Sequence, residues 1–144
     1  MEPIVDFKIL PERLRQAAQV VTVAVASPAD SHTEEVIERS IAERFARFIL
    51  VANAAKADIA RRLAADYPDK VTLIVAEDDD DAARHAVKEV REGRADVLMK
   101  GSLNTDNLLR AVLNKEQGIL IKGSVLTHIA VADVPSLNHL LFFT

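Results

Sequence analysis

A polar junction interrupts the apolar pattern of residues 98–114, LMKGSLNTDNLLRAVLN. Its side chains are those of Lys100, Gly101, Ser102, Asn104 and Thr105. A lysine, a glycine that lets the backbone approach a ligand, and hydroxyl and amide groups are well suited to binding phosphate oxygens. A helix that begins at Asn104 or Thr105 adds free backbone N–H groups and a partial positive charge. The junction is therefore predicted to bind an anion, phosphate above all.

Arg110 lies one turn further along the same predicted helix. We expect Leu109, Val112 and Leu113 to face the core, which turns Arg110 to the other side, where its planar guanidinium suits phosphate oxygens. The alternative is structural: Lys100 pairs with a carboxylate and Arg110 is a solvated helix residue. One lysine-glycine pair is a weak motif, so the residues alone leave both interpretations open.

Short apolar runs rich in Val, Ile and Leu predict the strands that position this junction. They occupy residues 20–26, 46–52, 71–76 and 96–99. Continuous apolar runs of this length are typical of strands buried on both faces. Helical patterns fill the intervals between them. This alternation predicts an α/β fold with a doubly wound, mostly parallel sheet and helices on both faces.

The predicted helices have recognisable faces and ends. The first has Leu10, Leu14, Ala17 and Ala18 on one face. The second places Val36, Ile37, Ser40 and Ile41 together after a cap at Ser31 or Thr33. The third begins after Asn53, carries Ile59, Leu63 and Tyr67 on one stripe, and ends before Pro68. The fourth runs from about Asp79 to Glu92, with Ala82, Ala83, Ala86, Val87 and Val90 inward and Gly93 as its C-terminal cap.

Ligands of open parallel sheets bind beyond the carboxyl ends of the strands. The loops predicted at that edge are 27–32, the stretch around Asn53, 77–81 and 100–105. After Asn114 the pattern changes, and residues 124–135 and 139–144 predict two strands joined by a short turn. The sequence stops within an apolar run. We therefore expect residues 1–144 to be either a single α/β domain, in which Phe142 and Phe143 complete a sheet or an interface, or a truncated N-terminal portion of a longer protein.

Composition narrows the classes of function. The 144 residues include no cysteine, which excludes disulfides, thiolate metal sites and a cysteine nucleophile. A net charge of -4, 4% aromatic residues and no tryptophan argue against a nucleic-acid partner. No apolar run reaches the roughly 18 residues of a membrane span, and no secretory signal is visible. We expect a cytoplasmic protein without a membrane partner.

The acidic run 77–81 and the histidines are weaker candidates. The run lacks the alternate spacing of a calcium loop and falls at a helix start, so we expect no metal site. His32 in a strand-end loop and His128 in a predicted strand are retained as possible ligand contacts. The alternatives are a capping or solvated role for His32 and a core position for His128.

The segment RADVLMKGSLNTDNLLRAVLNKEQGI, followed by SVLTHIAVADVP and HLLFFT, resembles the phosphate acetyl/butyryltransferase family, and its phosphate butyryltransferase branch most. The segments VTVAVASPADSHTEEVIERSI and FILVANAAKADIARRL resemble the family's first half more loosely. The resemblance covers nearly the whole chain and is most specific over residues 94–135. It places Lys100, Gly101 and Thr105 in the turn before the family's Leu-Arg helix, and Arg110 on the phosphate side of the substrates.

The resemblance implies an enzyme that moves an acetyl or butyryl group between coenzyme A and inorganic phosphate. It implies a fold like the first part of the isocitrate and isopropylmalate dehydrogenases, a homodimer or larger assembly, and no cofactor besides the substrates, acyl-coenzyme A and phosphate. His128 matches a histidine common in the butyryl branch, whereas Asn104 stands where histidine or glutamine is expected.

The chain also departs from the family, whose members are longer. Their second half supplies a Ser-Arg pair and an aspartate credited with catalysis, which have no counterpart here. The catalytic residues are therefore left unassigned, and we expect catalysis to need more than these 144 residues. The alternative is that the chain is a truncated, non-catalytic module that binds phosphate or coenzyme A or serves in assembly.

Overall fold

The computed structural model describes residues 3–17 and 19–144, in two compact units. Ala18, predicted on the first helix, lies outside the described residues. The helices are α1 (Leu10–Gln16), α2 (Ser31–Ala42), α3 (Asp58–Asp66), α4 (Asp79–Arg91) and α5 (Thr105–Val112). The strands are β1 (Val21–Ala26), β2 (Ala46–Asn53), β3 (Val71–Ala76), β4 (Val97–Lys100), β5 (Ala130–Ala132) and β6 (Leu141–Phe143). Short 3-10 turns lie at Phe7–Ile9 and Ala54–Lys56.

The larger unit, residues 20–122, is built on a four-stranded parallel sheet with the order β3-β2-β1-β4. The chain adds β2 and β3 on one side of β1 and then crosses back to place β4 on the other side. The strand order thus reverses between β1 and β4. Such a reversal is the topological switch point at which open α/β sheets bind ligands.

Helices cover both faces of this sheet, as predicted. Side chains alternate across a strand, and in β1 Val23 and Val25 belong to one core cluster whereas Ala24 and Ala26 belong to another. The first cluster is completed by side chains of α2 and α3, including Ile37, Ile41 and Leu63. The second is completed by α4 and α5 with Ala82, Ala83, Ala86, Val87, Ala111 and Val112. The row of alanines lets α4 pack closely on the sheet.

Helix ends mostly follow the predicted signals. Asp78 accepts from the backbone N–H of Asp81 at the start of α4, and Gly93, with φ 74°, follows its end. The predicted cap of α2 at Ser31 or Thr33 is wrong. Asp30 occupies the extended position before the helix, and its Oδ1 accepts from the backbone N–H of Thr33 at 2.9 Å.

The buried face of α5 also differs from the prediction. Ala111 and Val112 are buried, but Leu109 and Leu113 are 37% and 45% exposed. Leu108 packs against the core in their place. Positions 108, 111 and 112 follow the helical spacing of three and four residues, so the apolar stripe simply begins one residue earlier than predicted.

The smaller unit contains residues 1–19 and 123–144. Its β5 and β6 pair antiparallel, and the backbone N–H of Phe7 donates to Asp133 Oδ2 at 3.0 Å. The strands are three residues each, shorter than the predicted 124–135 and 139–144. Residues 124–129 are exposed and belong to no strand, so the strand predicted there from apolar composition is wrong.

The apolar face predicted for α1 is not buried. No residue of α1, all of which are described, is buried, and Leu14 is half exposed. Across the part of the chain that the structure describes, no helix is long and apolar enough to span a membrane.

Candidate functional site

Backbone hydrogen bonds join the loops after β1 and β4 at the switch point. The backbone N–H of Gly101 donates to Ala26 O at 2.9 Å, and that of Ser102 donates to Ser27 O at 2.8 Å. A Cβ on residue 101 would lie only 2.4 Å from Ser27 O, so only glycine fits there without moving the backbone. Gly101 therefore permits the close approach of two loops.

Lys100 is held in this turn by neutral groups. Its Nζ donates to Gly101 O at 3.0 Å and to Leu103 O at 2.9 Å. Among the described residues no carboxylate lies within 4.0 Å of this ammonium group. The structural alternative, in which Lys100 pairs with a carboxylate, is therefore wrong for this residue. An ammonium group has three N–H donors, so the lysine keeps both its charge and one donor for a ligand.

The turn then leads into the N-terminus of α5. Leu103 is buried and fixes the turn to the core, whereas Asn104 and Thr105 are exposed. Asn104 occupies the N-cap position, but its side chain makes no hydrogen bond to the helix. The first-turn N–H groups of α5 thus lack the side-chain acceptor that Asp30 supplies to α2 and Asp78 supplies to α4.

Ser102 is already engaged by the opposite loop. Its Oγ donates to Asp30 Oδ2 at 2.9 Å and accepts from the backbone N–H of Ala29 at 3.1 Å. The backbone N–H of Thr33 is the main cause that holds the pKa of Asp30 below its ordinary value, so this carboxylate is ionised at neutral pH. Ser102 therefore positions the loops, and Asp30 limits how far an anion extends toward α2.

Arg110 lies on the outer side of α5, away from the core as predicted. Its side chain is 70% exposed, and its Nη1 is 3.4 Å from Asp80 Oδ1. Asn107 donates to the same oxygen at 2.5 Å. Lys100, Gly101, Ser102, Asn104 and Thr105 thus form one turn, whereas Arg110 contacts α4.

Sequence reasoning missed a polar network beside the turn. Asp79 Oδ1 accepts from Ser27 Oγ at 2.8 Å and from Asn53 Nδ2 at 3.0 Å, and its Oδ2 accepts from Lys56 Nζ at 2.9 Å. Burial raises the pKa of Asp79, but the three donors outweigh burial and hold that pKa below its ordinary value. The available signal was the position of these polar residues, with Ser27 and Asn53 at the ends of β1 and β2 and Asp79 at the start of α4.

Ser27 connects this network to the turn. It is buried and has φ 55°, an uncommon conformation for a residue with a side chain. Its side chain donates to Asp79 and its carbonyl accepts from Ser102. Strained residues of this kind concentrate at functional sites, which agrees with a site at the switch point.

The two candidate histidines are not brought into the turn's hydrogen-bond network. His32 is exposed in the first turn of α2. His128 is exposed in the segment before β5, in the smaller unit, so the core position considered for it is wrong. Among residues 3–17 and 19–144, no three His, Cys, Asp or Glu side chains are grouped so as to hold a metal ion.

Taken together, the fold is a parallel α/β domain with a candidate anion site at its topological switch point. Comparison with known proteins adds to this. The chain is 38% identical over 136 residues to a phosphate butyryltransferase of Clostridium beijerinckii, covering 92% of this chain and 44% of that protein. It is 35% identical over 123 residues to a probable phosphate butyryltransferase of Bacillus subtilis, covering 85% of this chain and 40% of that protein. No protein-family model matches the chain.

A solved structure, that of a branched-chain phosphotransacylase from Enterococcus faecalis V583, has a similar fold. The TM-score is 0.67 at 22% identity, over 85% of this chain and 42% of that one. The sequence identities confirm the family resemblance: the chain is a relative of the phosphate acetyl- and butyryltransferases. It spans less than half the length of these relatives.

Proposed function

We propose that the chain is part of a phosphate acyltransferase that transfers an acetyl or butyryl group between coenzyme A and inorganic phosphate. The observation that carries the proposal is the Lys100 ammonium group, whose hydrogen bonds go to neutral carbonyls at the switch point. A fixed cation without a carboxylate partner attracts an anion. The homology to phosphate butyryltransferases supports phosphate or the phosphoryl end of an acyl phosphate as that anion.

The turn supplies three kinds of group for phosphate. Lys100 provides a full positive charge, the N-terminus of α5 provides N–H groups and a partial positive charge, and Asn104 and Thr105 provide polar side chains. Gly101 is buried against Ser27 and fixes the turn, so it does not offer its backbone to the ligand, contrary to the prediction from the sequence. Asn104 and Thr105 are exposed beside these N–H groups and are the polar side chains closest in sequence to them. Arg110, with its exposed guanidinium on α5, provides a second cation for the substrate's phosphates.

In the proposed reaction the thiolate of coenzyme A attacks the carbonyl carbon of the acyl phosphate. The carbon–sulfur bond forms, the carbon–oxygen bond to phosphate breaks, and inorganic phosphate leaves. Lys100 and the α5 N-terminus stabilise the negative charge that grows on the leaving phosphate. Both substrates are reactants, and acyl transfer of this kind requires no further cofactor. The groups that deprotonate the thiol and hold the oxyanion are left unassigned.

We further propose the fold of the first part of the isocitrate and isopropylmalate dehydrogenases, a homodimer or larger assembly, and a cytoplasmic location. The doubly wound sheet supports the first of these. Exposed apolar side chains support the second, among them Val125 at 82% and Phe142 at 67% exposure. The net charge of -4 supports small-molecule substrates over nucleic acid.

The test is thiol release from butyryl- and acetyl-coenzyme A with phosphate, for the chain beside Arg110→Ala. Arg61→Ala on α3 is the matched control, since Arg61 is an exposed arginine whose nearest acid, Asp58, lies on the same helix. Phosphate-dependent release that falls at least about tenfold in Arg110→Ala, a loss of about 1.4 kcal/mol of transition-state stabilisation, but not in the control, would establish a working acyltransferase within these 144 residues.

Two other results would restrict the proposal. Equal rates in Arg110→Ala and Arg61→Ala would exclude Arg110 from the reaction. Absence of release above background would overturn catalysis by this chain. Binding of phosphate or coenzyme A in that case, detected as stabilisation against unfolding, would identify a non-catalytic binding module.

A further inference from the structure

The phosphate-binding turn, residues 100–105, is attached to the loop after β1 through two backbone carbonyl groups. The carbonyl of Ala26 accepts from the N–H of Gly101 at 2.9 Å, and the carbonyl of Ser27 accepts from the N–H of Ser102 at 2.8 Å. The backbones are in direct contact here, since a Cβ on residue 101 would lie 2.4 Å from Ser27 O. The direction of the Ser27 carbonyl therefore helps to set the position of the turn.

The same turn orients the ammonium group of Lys100. Its Nζ donates to the carbonyls of Gly101 at 3.0 Å and Leu103 at 2.9 Å, the residues on either side of Ser102. A displacement of Ser102 would move both of these carbonyls, because its neighbours share peptide bonds with it. The position of the Lys100 charge thus depends on the hydrogen bond that the Ser27 carbonyl accepts.

Ser27 holds its carbonyl in this direction in an unfavourable conformation. Its φ of 55° lies in the left-handed region, which is costly for a residue with a side chain. Pro28 follows it, and a residue before a proline prefers an extended backbone. Two separate preferences thus oppose the observed conformation, so the surroundings of Ser27 must stabilise it.

Two hydrogen bonds from Ser27, which is 1% exposed, provide that stabilisation. Its N–H donates to Val51 O at 2.8 Å, and its Oγ donates to Asp79 Oδ1 at 2.8 Å. The bond to Asp79 is the stronger kind, because its acceptor is charged. Asn53 and Lys56 hold the Asp79 carboxylate in place, at 3.0 and 2.9 Å. The side chain of Ser27 is therefore anchored to a fixed acceptor.

We propose that Asp79 is a positioning residue for the phosphate-binding turn and acts through Ser27, an inference that rests on the proposed function. Asp79 does not bind the phosphate itself, because an ionised carboxylate repels an anion and both of its oxygens already accept from donors. Its ion pair with Lys56 offsets that repulsion. Asp79 stabilises the strained conformation of Ser27, and that conformation places the charge of Lys100.

The first test compares Asp79→Ala with Asp79→Asn by calorimetric titration of inorganic phosphate. Both substitutions remove the negative charge and the ion pair with Lys56, but only asparagine keeps an oxygen that accepts from Ser27. We expect Asp79→Ala to bind phosphate at least about fivefold more weakly than Asp79→Asn. Equal affinities of the two variants would overturn the proposal, since the charge alone would then account for any effect.

Ser27→Ala tests the route by which Asp79 acts. It removes the hydroxyl donor and leaves the carboxylate with its bonds from Asn53 and Lys56. If Asp79 acts through Ser27, the double variant Ser27→Ala with Asp79→Ala should bind phosphate no more weakly than Asp79→Ala alone. Losses of binding free energy that add in the double variant would show two independent effects and overturn the route.

Leu63→Ala controls for general loss of stability. Leu63 is buried in the core cluster on the other face of the sheet, away from the cluster that α4 completes. Its truncation destabilises the chain through lost packing and leaves the Asp79 network intact. We expect its phosphate affinity to equal that of the wild-type chain. A loss as large as that of Asp79→Ala would reduce the effect to destabilisation and overturn the proposal.

Amide hydrogen exchange separates this inference from the proposed function, because it needs no ligand. The amide of Ser102 reports the position of the turn. The amide of Phe48, which donates to Lys70 O at the start of β3, reports opening of the whole sheet. Relative to Phe48, Ser102 should exchange at least about fivefold faster in Asp79→Ala than in Asp79→Asn.

Faster exchange of Ser102 together with weaker phosphate binding supports both proposals. Faster exchange in a chain that binds no phosphate in its wild-type form supports the positioning of the turn by Asp79 and overturns phosphate as the ligand of that turn. Unchanged exchange of Ser102 relative to Phe48 overturns the positioning role, and phosphate binding by the wild-type chain then leaves the proposed function standing.

Discussion

Replacing Asp79 tests whether the polar network at the carboxyl ends of the strands stabilises the fold. Its carboxylate accepts from Ser27, Asn53 and Lys56, and so joins β1, β2 and the start of α4. Replacement by alanine leaves the Ser27 hydroxyl, in a residue 1% exposed, without its acceptor. A buried polar group that loses its partner costs free energy beyond the lost bond.

The expected loss of unfolding free energy follows from how exposed Asp79 and its partners are. The bonds from Ser27 and Asn53 reach a charged acceptor that is 29% exposed, and at the low end of the range they contribute about 1.5 kcal/mol each. Lys56 is 38% exposed, and its screened ion pair adds about 0.5 kcal/mol. We therefore expect the loss of these three contacts in Asp79→Ala to lower the free energy of unfolding by about 3.5 kcal/mol. Asp79→Asn keeps an amide oxygen as acceptor and should lose about half of that.

Urea unfolding followed by circular dichroism measures this loss. The control is Asp58→Ala, because Asp58 is likewise the first residue of its helix, α3, but its side chain is 100% exposed. Both variants lose an acidic side chain from the first turn of a helix, so the interaction with the helix dipole is matched between them. Equal destabilisation of the two variants would refute the network as a source of stability.

Acid should abolish the effect of the Asp79 network. The pKa of Asp79 is lowered in the folded chain relative to its ordinary value of 3.8. Stability from such a group is complete above the unfolded pKa and is lost as the pH falls through the lower, folded pKa. The difference between the wild-type chain and Asp79→Ala should therefore be full at about pH 6 and shrink below about pH 4. A difference that grows in acid would contradict the assigned direction.

Substitutions at Gly101 and Asp30 test the close approach of two loops and the cap of α2. Gly101→Ala places a Cβ 2.4 Å from Ser27 O and should cost more than about 2 kcal/mol in urea unfolding. Gly93→Ala, at φ 74° but with no atom near its added Cβ, should cost only about 1 kcal/mol, and equal costs would contradict the close approach. Asp30→Ala removes the cap of α2 and should cost about 1 kcal/mol, most of which Asp30→Ser restores. A thermal melt in which serine fails to restore stability would exclude capping.

Much of the larger unit was predictable because its signals are local. Apolar runs predicted β1 to β4 within a residue or two, and Gly93 marked the end of α4. The lysine-glycine turn was predicted as the junction between β4 and α5. Alternation of strands and helices was enough for the parallel sheet, because right-handed crossovers leave few other topologies.

The polar network of the site and the strand pairing of the smaller unit depend on contacts between residues distant in sequence. The bond from Ser27 to Asp79 spans 52 residues, and that from Ser102 to Asp30 spans 72. Neither strand periodicity nor capping rules encode such pairs. Similarly, the exposed segment 124–129 is apolar in composition but has no strand partner in the structure. Apolar composition predicts a strand whether or not a partner strand is present, and so the prediction failed there.

Binding of inorganic phosphate to this chain tests the central claim most directly. Calorimetric titration would compare the wild-type chain with Lys100→Gln, whose amide can still donate to the carbonyls of Gly101 and Leu103 and so preserve the turn. Unfolding in urea checks that the turn is preserved. We predict saturable phosphate binding that weakens at least about tenfold when the charge of Lys100 is removed. Phosphate binding of equal affinity in both proteins, or none in the wild-type chain, would contradict the assignment of this turn as the phosphate site.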